Sequence, residues 1–476
     1  MIIISILKFK SFFFENNFAA LPRTLQIPIF DADFTQMDDQ RTATLTELLN
    51  SGIEGEVRTD RSSRLMYATD ASIYREEPLA IVIPRNADDI KKLLAFAAKH
   101  RIGIIPRAAG TSLAGQVVGS GIVADLSRHF GKILEINTEE RWVRLEPGVV
   151  PDELNAALRS HGLLFGPETS TSSRCNLGGM IGNNGCGLHS VVYGSVRDHI
   201  IEVRGLLHDG SEVVFSELTA DQFNQKCSLQ TAEGEIYREV ERIMTNPVHR
   251  ESIMAGYPEK SIPRRNTGYA LDDLLYSEPF TPGAGRKVNL ARLICGSEGT
   301  LAIVTEAKLG LVPLPPPVKA LACVHLHHRN EAFRANLIAL QYQPWAVELM
   351  DSTILNLAAT VESQKRNRFF IEGDPGALLI VEFCAGSREE IISTVAAMER
   401  EMRSRELGYA FPVVWNGDVK RVWDLRKAGL GILSNIPGDA RPVSLIEDCA
   451  VDVNRLGDFV AEIEEMLASY GKESVY

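Results

Sequence analysis

Residues 175–187 read CNLGGMIGNNGCG, and residues 107–116 read RAAGTSLAGQ. Residues 107–116 are called the first glycine segment and residues 175–187 the second. Both combine glycine with small hydroxyl and amide side chains. Glycine allows the positive φ angles that turn consecutive backbone N–H groups toward one point, and such a turn binds a phosphate. The hydroxyls of Thr111 and Ser112 would add donors. Together the segments predict a cradle for a pyrophosphate, and tight turns without a ligand are the alternative for either one alone.

Two common nucleotide-binding fingerprints are missing from the sequence. GxGxxG does not occur between a first strand and a helix, and GxxxxGK[ST] does not occur. A nicotinamide-binding Rossmann domain and a P-loop nucleotidase are therefore disfavoured.

Around the glycine segments, apolar periodicity predicts short strands and helices. Residues 79–84 and 102–105 read as strands, and 87–100 as a helix capped by Asn86, so the three elements imply a parallel βαβ pair. Residues 216–290 read as an insertion of helices and loops. The other predicted elements before residue 312 are a strand at 122–126, a hairpin at 133–137 and 142–146, a helix from 151 to about 160, and a strand pattern within 293–311.

The stretch LVPLPPP (311–317) stiffens the chain and predicts a domain boundary. Strands and helices alternate after it, which predicts an α+β sandwich, one sheet with helices on one face. A last strand and helix follow. The predicted strands are 318–326, 346–350, 378–384, 411–415 and 443–451, and the predicted helices are 331–341, 352–361, 388–405, 418–427 and 456–469.

Composition narrows the class of protein. The chain has 476 residues, 50 Lys+Arg and 62 Asp+Glu, so its net charge is −12 and general binding to nucleic acid is disfavoured. At roughly 150 residues per domain the length suggests about three domains, or one elaborate domain plus a smaller one. The seven cysteines include no CxxC, which argues against a disulfide framework or a self-contained iron–sulfur site. The apolar start at 1–20 reads as an over-called start or a disordered tail, with a weak membrane-touching segment as the alternative.

Four stretches then follow one another in order: PRAAGTSLAGQ (106–116), LEPGVVPDELNAALRSHGLLFGPE (145–168), CNLGGMIGNNGCGLHSVVYGSVRDHIIEV (175–203) and ICGSEGTLAIVTEAKL (294–309). They resemble the FAD-binding domain of the vanillyl-alcohol oxidase / p-cresol methylhydroxylase superfamily, and within it the FAD-linked D-lactate, glycolate and D-2-hydroxyglutarate dehydrogenases. The resemblance implies an α+β fold: a two-subdomain FAD-binding domain of the p-cresol methylhydroxylase type plus an α+β cap domain, which has an antiparallel sheet with helices on one face. The expected division is an extension at 1–54, the FAD-binding domain at 55–315, the cap at 316–442, and a return strand and helix at 443–476.

The same resemblance implies which residues hold FAD. The two glycine segments would bind its pyrophosphate, 147–149 and 167–169 would flank the flavin, Ile201 would lie near the adenine, and Glu298 near the ribityl side. Non-covalent FAD is expected because the first segment lacks a His, while Cys186 leaves a second attachment point open. The expected cofactor-binding residues are Arg107, Ala109, Gly110, Thr111, Ser112, Gln116, Pro147, Gly148, Pro167, Asn176, Gly178, Gly179, Gly182, Asn183, Gly187, Ile201 and Glu298.

Oxidation of a 2-hydroxy acid needs a cation for the carboxylate and a base for the hydroxyl proton. The stretch VWDLRK (422–427) resembles the family's Trp-x-x-Arg stretch, which makes Arg426 the expected carboxylate ligand; a surface arginine is the alternative. Glu447, beside Asp448, is the second expected catalytic residue, against an ordinary pair of strand-end acids bound to Arg426 or Arg441. The histidines of HLHH (325–328) are interpreted as exposed strand residues and no metal is expected. His189 is expected near the flavin as a hydrogen-bond donor.

The expected function is oxidation of a D-2-hydroxy acid to the 2-oxo acid, with hydride transfer to flavin N5. A flavin or electron-transfer subunit without catalysis, and an enolpyruvyl reductase on the same fold, are the alternatives. The family's His-Gly-rich motif would follow the last helix, so the chain is expected to be the N-terminal part of a longer flavin/iron–sulfur protein. Expected partners are a small 2-hydroxy acid and a downstream iron–sulfur module or quinone pool, in the cytoplasm with at most peripheral contact at the inner membrane.

Overall fold

The computed structural model describes residues 34–475 except 267, 434, 435, 437, 439–441, 444, 445, 447 and 448, with side chains from residue 42 onward and not at 430. The first elements in chain order are α1 (Phe34–Leu49), β1 (Glu56–Arg58), α2 (Arg61–Met66), β2 (Ala80–Ile83), α3 (Ala87–His100), β3 (Ile104–Arg107) and β4 (Ile122–Asp125).

Strands β1 to β4 form one sheet in the order β1-β2-β4-β3. Helix α3 has the predicted bounds and cap, since the Asn86 side chain accepts a hydrogen bond from the Asp89 N–H. Strands β2 and β3 are parallel, as predicted, but they are not neighbours. Strand β4 lies between them and pairs in parallel with both, because β4 is apolar on both faces and takes the buried central position.

The next elements form a second sheet and a helical insertion. In chain order they are β5 (Ile133–Asn137), β6 (Trp142–Leu145), α4 (Pro151–Leu158), a 3-10 turn (Arg159–His161), β7 (Leu163–Leu164), α5 (Leu177–Asn183), α6 (Ser190–Tyr193), α7 (Val196–His199), β8 (Ile200–Leu206), β9 (Glu212–Phe215), β10 (Glu217–Leu218), α8 (Ala220–Cys227), α9 (Ala232–Thr245), α10 (Pro247–Gly256), α11 (Leu271–Leu275), β11 (Val288–Asn289), α12 (Ala291–Ile294), β12 (Ile303–Gly310) and β13 (Val312–Pro313).

This second sheet has the order β5-β6-β12-β8-β9, and its strand pairs are antiparallel. The predicted β5–β6 hairpin is confirmed. Strand β12 returns from the far side of the helical insertion to the centre of the sheet. Within the predicted strand pattern at 293–311, only Ile303–Gly310 is a strand. The first residues of that range belong to α12, and the short strand β13 begins after its end. One core joins this sheet to α4, α5 and the insertion.

The cap elements are β14 (Val318–Leu326), α13 (Arg329–Gln341), β15 (Ala346–Asp351), α14 (Ser352–Thr360), α15 (Glu362–Lys365), a 3-10 turn (Arg366–Arg368), β16 (Ala377–Ala385), α16 (Arg388–Ser404), β17 (Val413–Trp415), α17 (Gly417–Lys427), α18 (Gly429–Leu433), a 3-10 turn (Val453–Arg455) and α19 (Leu456–Ser469). The predicted antiparallel sheet is confirmed, in the order β15-β16-β14-β17.

The prediction of helices on one face of this sheet was incomplete. Helices α13, α16 and α19 cover one face, and α14, α17 and α18 pack on the other. The reason is in the strands: β14 is buried at seven consecutive residues, 320–326. Because side chains alternate between faces, both faces of the sheet are apolar and both need cover.

The predicted strand at 443–451 falls partly outside the described residues. Those that are described there, at 443, 446 and 449–451, are not in a strand. Across the described part of the chain, no helix combines the length and apolar character needed to cross a bilayer.

Candidate functional site

A cavity of roughly 2620 Å³ lies between the glycine segments and the cap helices α17 and α18. Pockets for small ligands commonly measure about 300–1,000 Å³. This cavity therefore has room for a ligand of dinucleotide size together with a small second molecule.

Most of the predicted site residues line this one cavity, although they come from distant parts of the chain. The predicted residues in its wall are Arg107, Ala109, Gly110, Thr111, Ser112, Gln116, Pro147, Asn176, Gly178, Gly179, Gly182, Asn183, Gly187, Glu298 and Arg426.

Three predicted cofactor residues do not line the cavity. Gly148 packs behind its wall, where its N–H donates to the Phe130 carbonyl and its own carbonyl accepts from Asn176 Nδ2. Pro167 is buried, and Ile201 lies on β8. Glu447, Asp448 and Arg441 lie outside the described residues.

Arg107 supports the first glycine segment from behind. Its guanidinium donates to the carbonyls of Tyr67 (3.3 Å) and Thr69 (2.9 Å). Gly110 has φ +66°, and a Cβ there would collide with this guanidinium. The positive φ therefore favours glycine at 110, and any larger residue would also have to displace the Arg107 guanidinium.

The second glycine segment packs against its neighbours by close backbone approach. A Cβ on Gly178 would stand 2.5 Å from the Pro147 Cβ, and one on Gly179 would stand 3.2 Å from the Ala108 Cβ. A Cβ on Gly187 would collide with the Glu168 carbonyl. At these positions glycine serves the packing of one loop on another, a role that composition alone does not separate from phosphate contact.

One amide links both segments to the approach of β12. Gln116 Nε2 donates to Asn183 Oδ1 (3.0 Å) and to Glu298 Oε1 (3.3 Å). The Glu298 N–H donates in turn to the Gly182 carbonyl (2.9 Å). Four residues predicted as cofactor ligands, Gln116, Gly182, Asn183 and Glu298, are thus joined in one hydrogen-bond network.

Buried polar atoms without partners test whether a flavin dinucleotide suits this cavity. Among the described residues, Gln116 Oε1, Asn176 Oδ1 and Ser297 Oγ are buried and have no hydrogen-bond partner, and all three residues line the cavity. Buried polar atoms are nearly always paired in folded proteins. A ligand with ring N–H groups and hydroxyls would supply the missing partners, and the residues present therefore fit FAD.

A charge cluster borders the cavity where the second glycine segment meets the cap. His189 Nδ1 donates to Glu168 (2.5 Å) and Nε2 to Glu382 (2.8 Å), and Lys319 Nζ lies 2.8 Å from the same Glu382 oxygen. Burial disfavours the imidazolium, but its hydrogen bonds to Glu168 and Glu382 outweigh this and raise the pKa of His189 to about 9. Burial likewise opposes the Glu382 carboxylate, and His189 and Lys319 lower its pKa to about 2.

The cluster corrects the expectation for His189. Both ring nitrogens bond carboxylates, so neither remains as a donor for a flavin. Sequence reasoning missed Lys319 and Glu382, and it included Glu168 only in a stretch expected to flank the flavin, not as a partner of His189. A charged residue within the apolar strand ALLIVEFCA (377–385) was the available indication for Glu382, since acidic residues are seldom fully buried unless paired.

Arg426 lies at the cap side of the cavity, near the end of α17. Its Nε donates to Glu348 Oε2 over 2.9 Å, and Glu348 on β15 is 2% exposed. Within the described part of the chain, no other residue bonds the Arg426 guanidinium. The Arg426 side chain is 20% exposed and lines the cavity, so it does not lie on the outer surface.

The prediction that all histidines of HLHH are exposed was wrong for one of them. His325 is fully buried, its Nδ1 donates to the Cys323 carbonyl, and its Nε2 accepts from the Glu372 N–H (3.0 Å). Burial lowers the pKa of His325. No group of three or more His, Cys, Asp or Glu side chains among the described residues could hold a metal ion.

Comparison with known proteins agrees with this architecture. Residues 78–216 match the FAD binding domain family, and residues 315–476 match the C-terminal domain of FAD linked oxidases. The chain therefore carries a FAD-binding domain followed by the C-terminal domain of FAD linked oxidases, and its cofactor is FAD.

Among individual relatives, D-2-hydroxyglutarate dehydrogenase of Pseudomonas putida is 35% identical over 443 residues, which are 90% of this chain and 42% of that protein. Glycolate oxidase subunit GlcD of Bacillus subtilis is 26% identical over 86% of this chain and 72% of its own length. A solved structure of alkyldihydroxyacetonephosphate synthase shares the fold, with a TM-score of 0.55, 17% identity, and coverage of 83% of this chain and 64% of that one. The chain thus spans less than half the length of the D-2-hydroxyglutarate dehydrogenase.

Proposed function

We propose that the chain oxidises a D-2-hydroxy acid to the corresponding 2-oxo acid with FAD. The main observation in support of this proposal is that Arg426 lines the same cavity as both glycine segments. A carboxylate-binding cation and a flavin-sized cradle therefore face one space. The names of the relatives, D-2-hydroxyglutarate dehydrogenase and glycolate oxidase subunit among them, favour this chemistry.

The glycine segments, with Pro147, Asn176 and Glu298, would hold FAD. When bound, FAD supplies a two-electron acceptor that takes the α-hydrogen of the substrate as a hydride at N5. We propose non-covalent binding because the first segment has no His. Cys186, which the sequence left open as a second attachment point, also lines the cavity, and its sulfur accepts a hydrogen bond from Asn266 Nδ2 at 3.0 Å.

Arg426 would bind the substrate carboxylate through its two terminal nitrogens, because Nε already bonds Glu348. A guanidinium matches a carboxylate with two parallel hydrogen bonds, which fixes the orientation of the acid as well as holding it. The buried Glu348 carboxylate compensates part of the arginine's charge while the site is empty of substrate, and it orients the side chain.

The hydroxyl proton needs an acceptor. His189 does not fill this role at neutral pH, because its pKa of about 9 keeps the ring protonated. Glu382, with a pKa of about 2, is too weak a base. Glu447 stays the proposed proton acceptor.

The reduced flavin would pass its electrons to an iron–sulfur module or to the quinone pool. We propose that the chain works in the cytoplasm, with at most peripheral contact at the inner membrane.

The test is flavin reduction in the absence of oxygen. The purified chain is loaded with FAD and mixed with D-2-hydroxyglutarate, D-lactate or glycolate, and the visible flavin absorbance is followed. The L enantiomers of the first two acids serve as matched controls. We expect one D acid to bleach the flavin and its L enantiomer to leave it oxidised. Bound FAD that no acid bleaches would contradict the proposal and favour a flavin subunit without catalysis.

A further inference from the structure

Glu382 is a fully buried carboxylate at the junction of the second glycine segment, the cap sheet and α17. Its Oε1 accepts from His189 and Lys319, and its Oε2 accepts from Trp423 Nε1, each over 2.8 Å. Both oxygens are therefore engaged by groups from three different parts of the chain.

We propose that Glu382 is a positioning residue, which fixes α17, and with it Arg426, relative to the second glycine segment. The inference rests on the proposed function for Arg426. It adds a residue that touches neither substrate nor flavin and instead sets the distance between their two binding sites.

The contacts between α17 and the cap sheet show how Glu382 would hold the helix in place. In the pairing of β15 with β16, Ala346 lies opposite Glu382. Glu348, two residues further along β15, therefore points to the same face of the sheet as Glu382. On the helix, Trp423 and Arg426 are three residues apart and share one face. The helix thus rests on two buried carboxylates, Trp423 on Glu382 and Arg426 on Glu348.

On the side of the second glycine segment, Glu382 is held through His189. His189 follows Gly187, which packs in close contact with the Glu168 backbone, and the His189 ring lies between Glu168 and Glu382. Two carboxylates and two cations, His189 and Lys319, balance in charge. Neutralising Glu382 would leave both cations without their shared partner and would release the glycine segment from the cap.

Such a release would alter the reaction in a specific way. Arg426 and Glu348 remain, so a carboxylate still binds, but its α-carbon is no longer held at the correct place. Misplacement by about 1 Å can cost on the order of 10²-fold in rate. We therefore expect kcat to fall by roughly 10²-fold and KM to stay within about threefold.

The experiment compares Glu382→Gln with the wild-type chain, both loaded with FAD. Glu401→Gln is the matched control, because Glu401 is a cap glutamate bonded to Tyr342 and Arg405, away from the cavity. Steady-state kinetics with the hydroxy acid that reduces the wild-type flavin give kcat and KM. Hydrogen–deuterium exchange of the peptides 185–193 and 417–427 gives a readout that does not depend on activity.

We expect E382Q to exchange faster in both peptides and to lose kcat, with E401Q like the wild type. Unchanged exchange and kcat in E382Q, or a change in KM alone, would overturn the proposal. If E382Q does not fold, Trp423→Phe is used to test the proposal. Faster exchange in the peptide 417–427 together with a lower kcat would support the proposal, and wild-type exchange and kcat would overturn it. If no hydroxy acid reduces the wild-type flavin, the proposed function fails, and the exchange data still decide whether Glu382 links the two parts.

Discussion

Arg426 Nε donates a hydrogen bond to Glu348 Oε2 over 2.9 Å, and the acceptor carboxylate is almost fully buried. This pair connects the cap sheet with the cavity lined by the glycine segments. It leaves the end of the guanidinium fork for a ligand and makes the orientation of Arg426 a property of the fold.

Arg426→Lys should weaken substrate binding and turnover together. Lysine keeps the charge but has no planar fork, so it cannot bond Glu348 and a carboxylate at the same time. We expect kcat/KM to fall by an amount corresponding to about 2–4 kcal/mol. Steady-state kinetics measure this. Arg421→Lys, on the same helix but paired with Asp418 at the surface, is the control and should keep wild-type values. Wild-type kinetics in R426K would move the carboxylate site elsewhere.

Glu348→Ala should destabilise the cap, because it leaves the Arg426 charge without its buried partner. Breaking a buried ion pair from one side costs about 3–5 kcal/mol. Urea unfolding of the wild type and the variant would give the difference in unfolding free energy. Glu401→Ala instead removes a largely exposed pair with Arg405 and a hydrogen bond from Tyr342, and should cost no more than about 2 kcal/mol. Equal losses in the two variants would show that the Glu348–Arg426 pair has no special weight.

Gly110→Val and Gly179→Val should each abolish flavin retention. At 110 the added side chain meets the Arg107 guanidinium at a positive φ, and at 179 it meets Ala108. Gly103→Val is the control, because no atom lies within 4 Å of a Cβ placed there. The measurement is the flavin-to-protein absorbance ratio after purification, with circular dichroism to confirm folding. Folded G110V and G179V proteins that stay fully yellow would refute the cradle. Acid precipitation of the wild type should release its flavin.

Stability should depend on the charge of His189. Its pKa is raised from 6.5 to about 9 in the folded chain. Its contribution is therefore fully present below about pH 6.5 and is lost as pH rises through about 9. The whole effect is on the order of 3 kcal/mol. We expect the difference in unfolding free energy between wild type and His189→Gln to shrink from pH 7 to pH 10. A difference that is constant over this range would mean that His189 is neutral in the fold.

Local patterns predicted most individual elements. The bounds of α3, β14 and α19 follow from caps and apolar periodicity, which act within one element. The sheet order did not follow, because the insertion of β4 between β2 and β3 is decided by burial across the whole sheet. The glycine segments identified the cavity, but no local pattern indicates that Arg107 supports the turn from behind.

The charge cluster shows the same limit more sharply. His189 and Glu382 are 193 residues apart and bond each other directly. Nothing within either local sequence pairs them. Only the docking of the cap against the second glycine segment brings the two side chains together, and contacts between separate layers of a fold are not encoded by the periodicity of either layer.

The flavin and the hydroxy acid are proposed to react in this one cavity. To test this, the FAD-loaded chain is mixed without oxygen, in separate samples, with less than one equivalent of D-2-hydroxyglutarate, D-lactate or glycolate, and reduced flavin and 2-oxo acid are quantified together. We predict that one of these acids yields equal amounts of reduced flavin and its 2-oxo acid, and that R426K yields almost none of either at the same time point. Flavin that stays oxidised with all three acids, or that is reduced without formation of an oxo acid, would contradict the proposal.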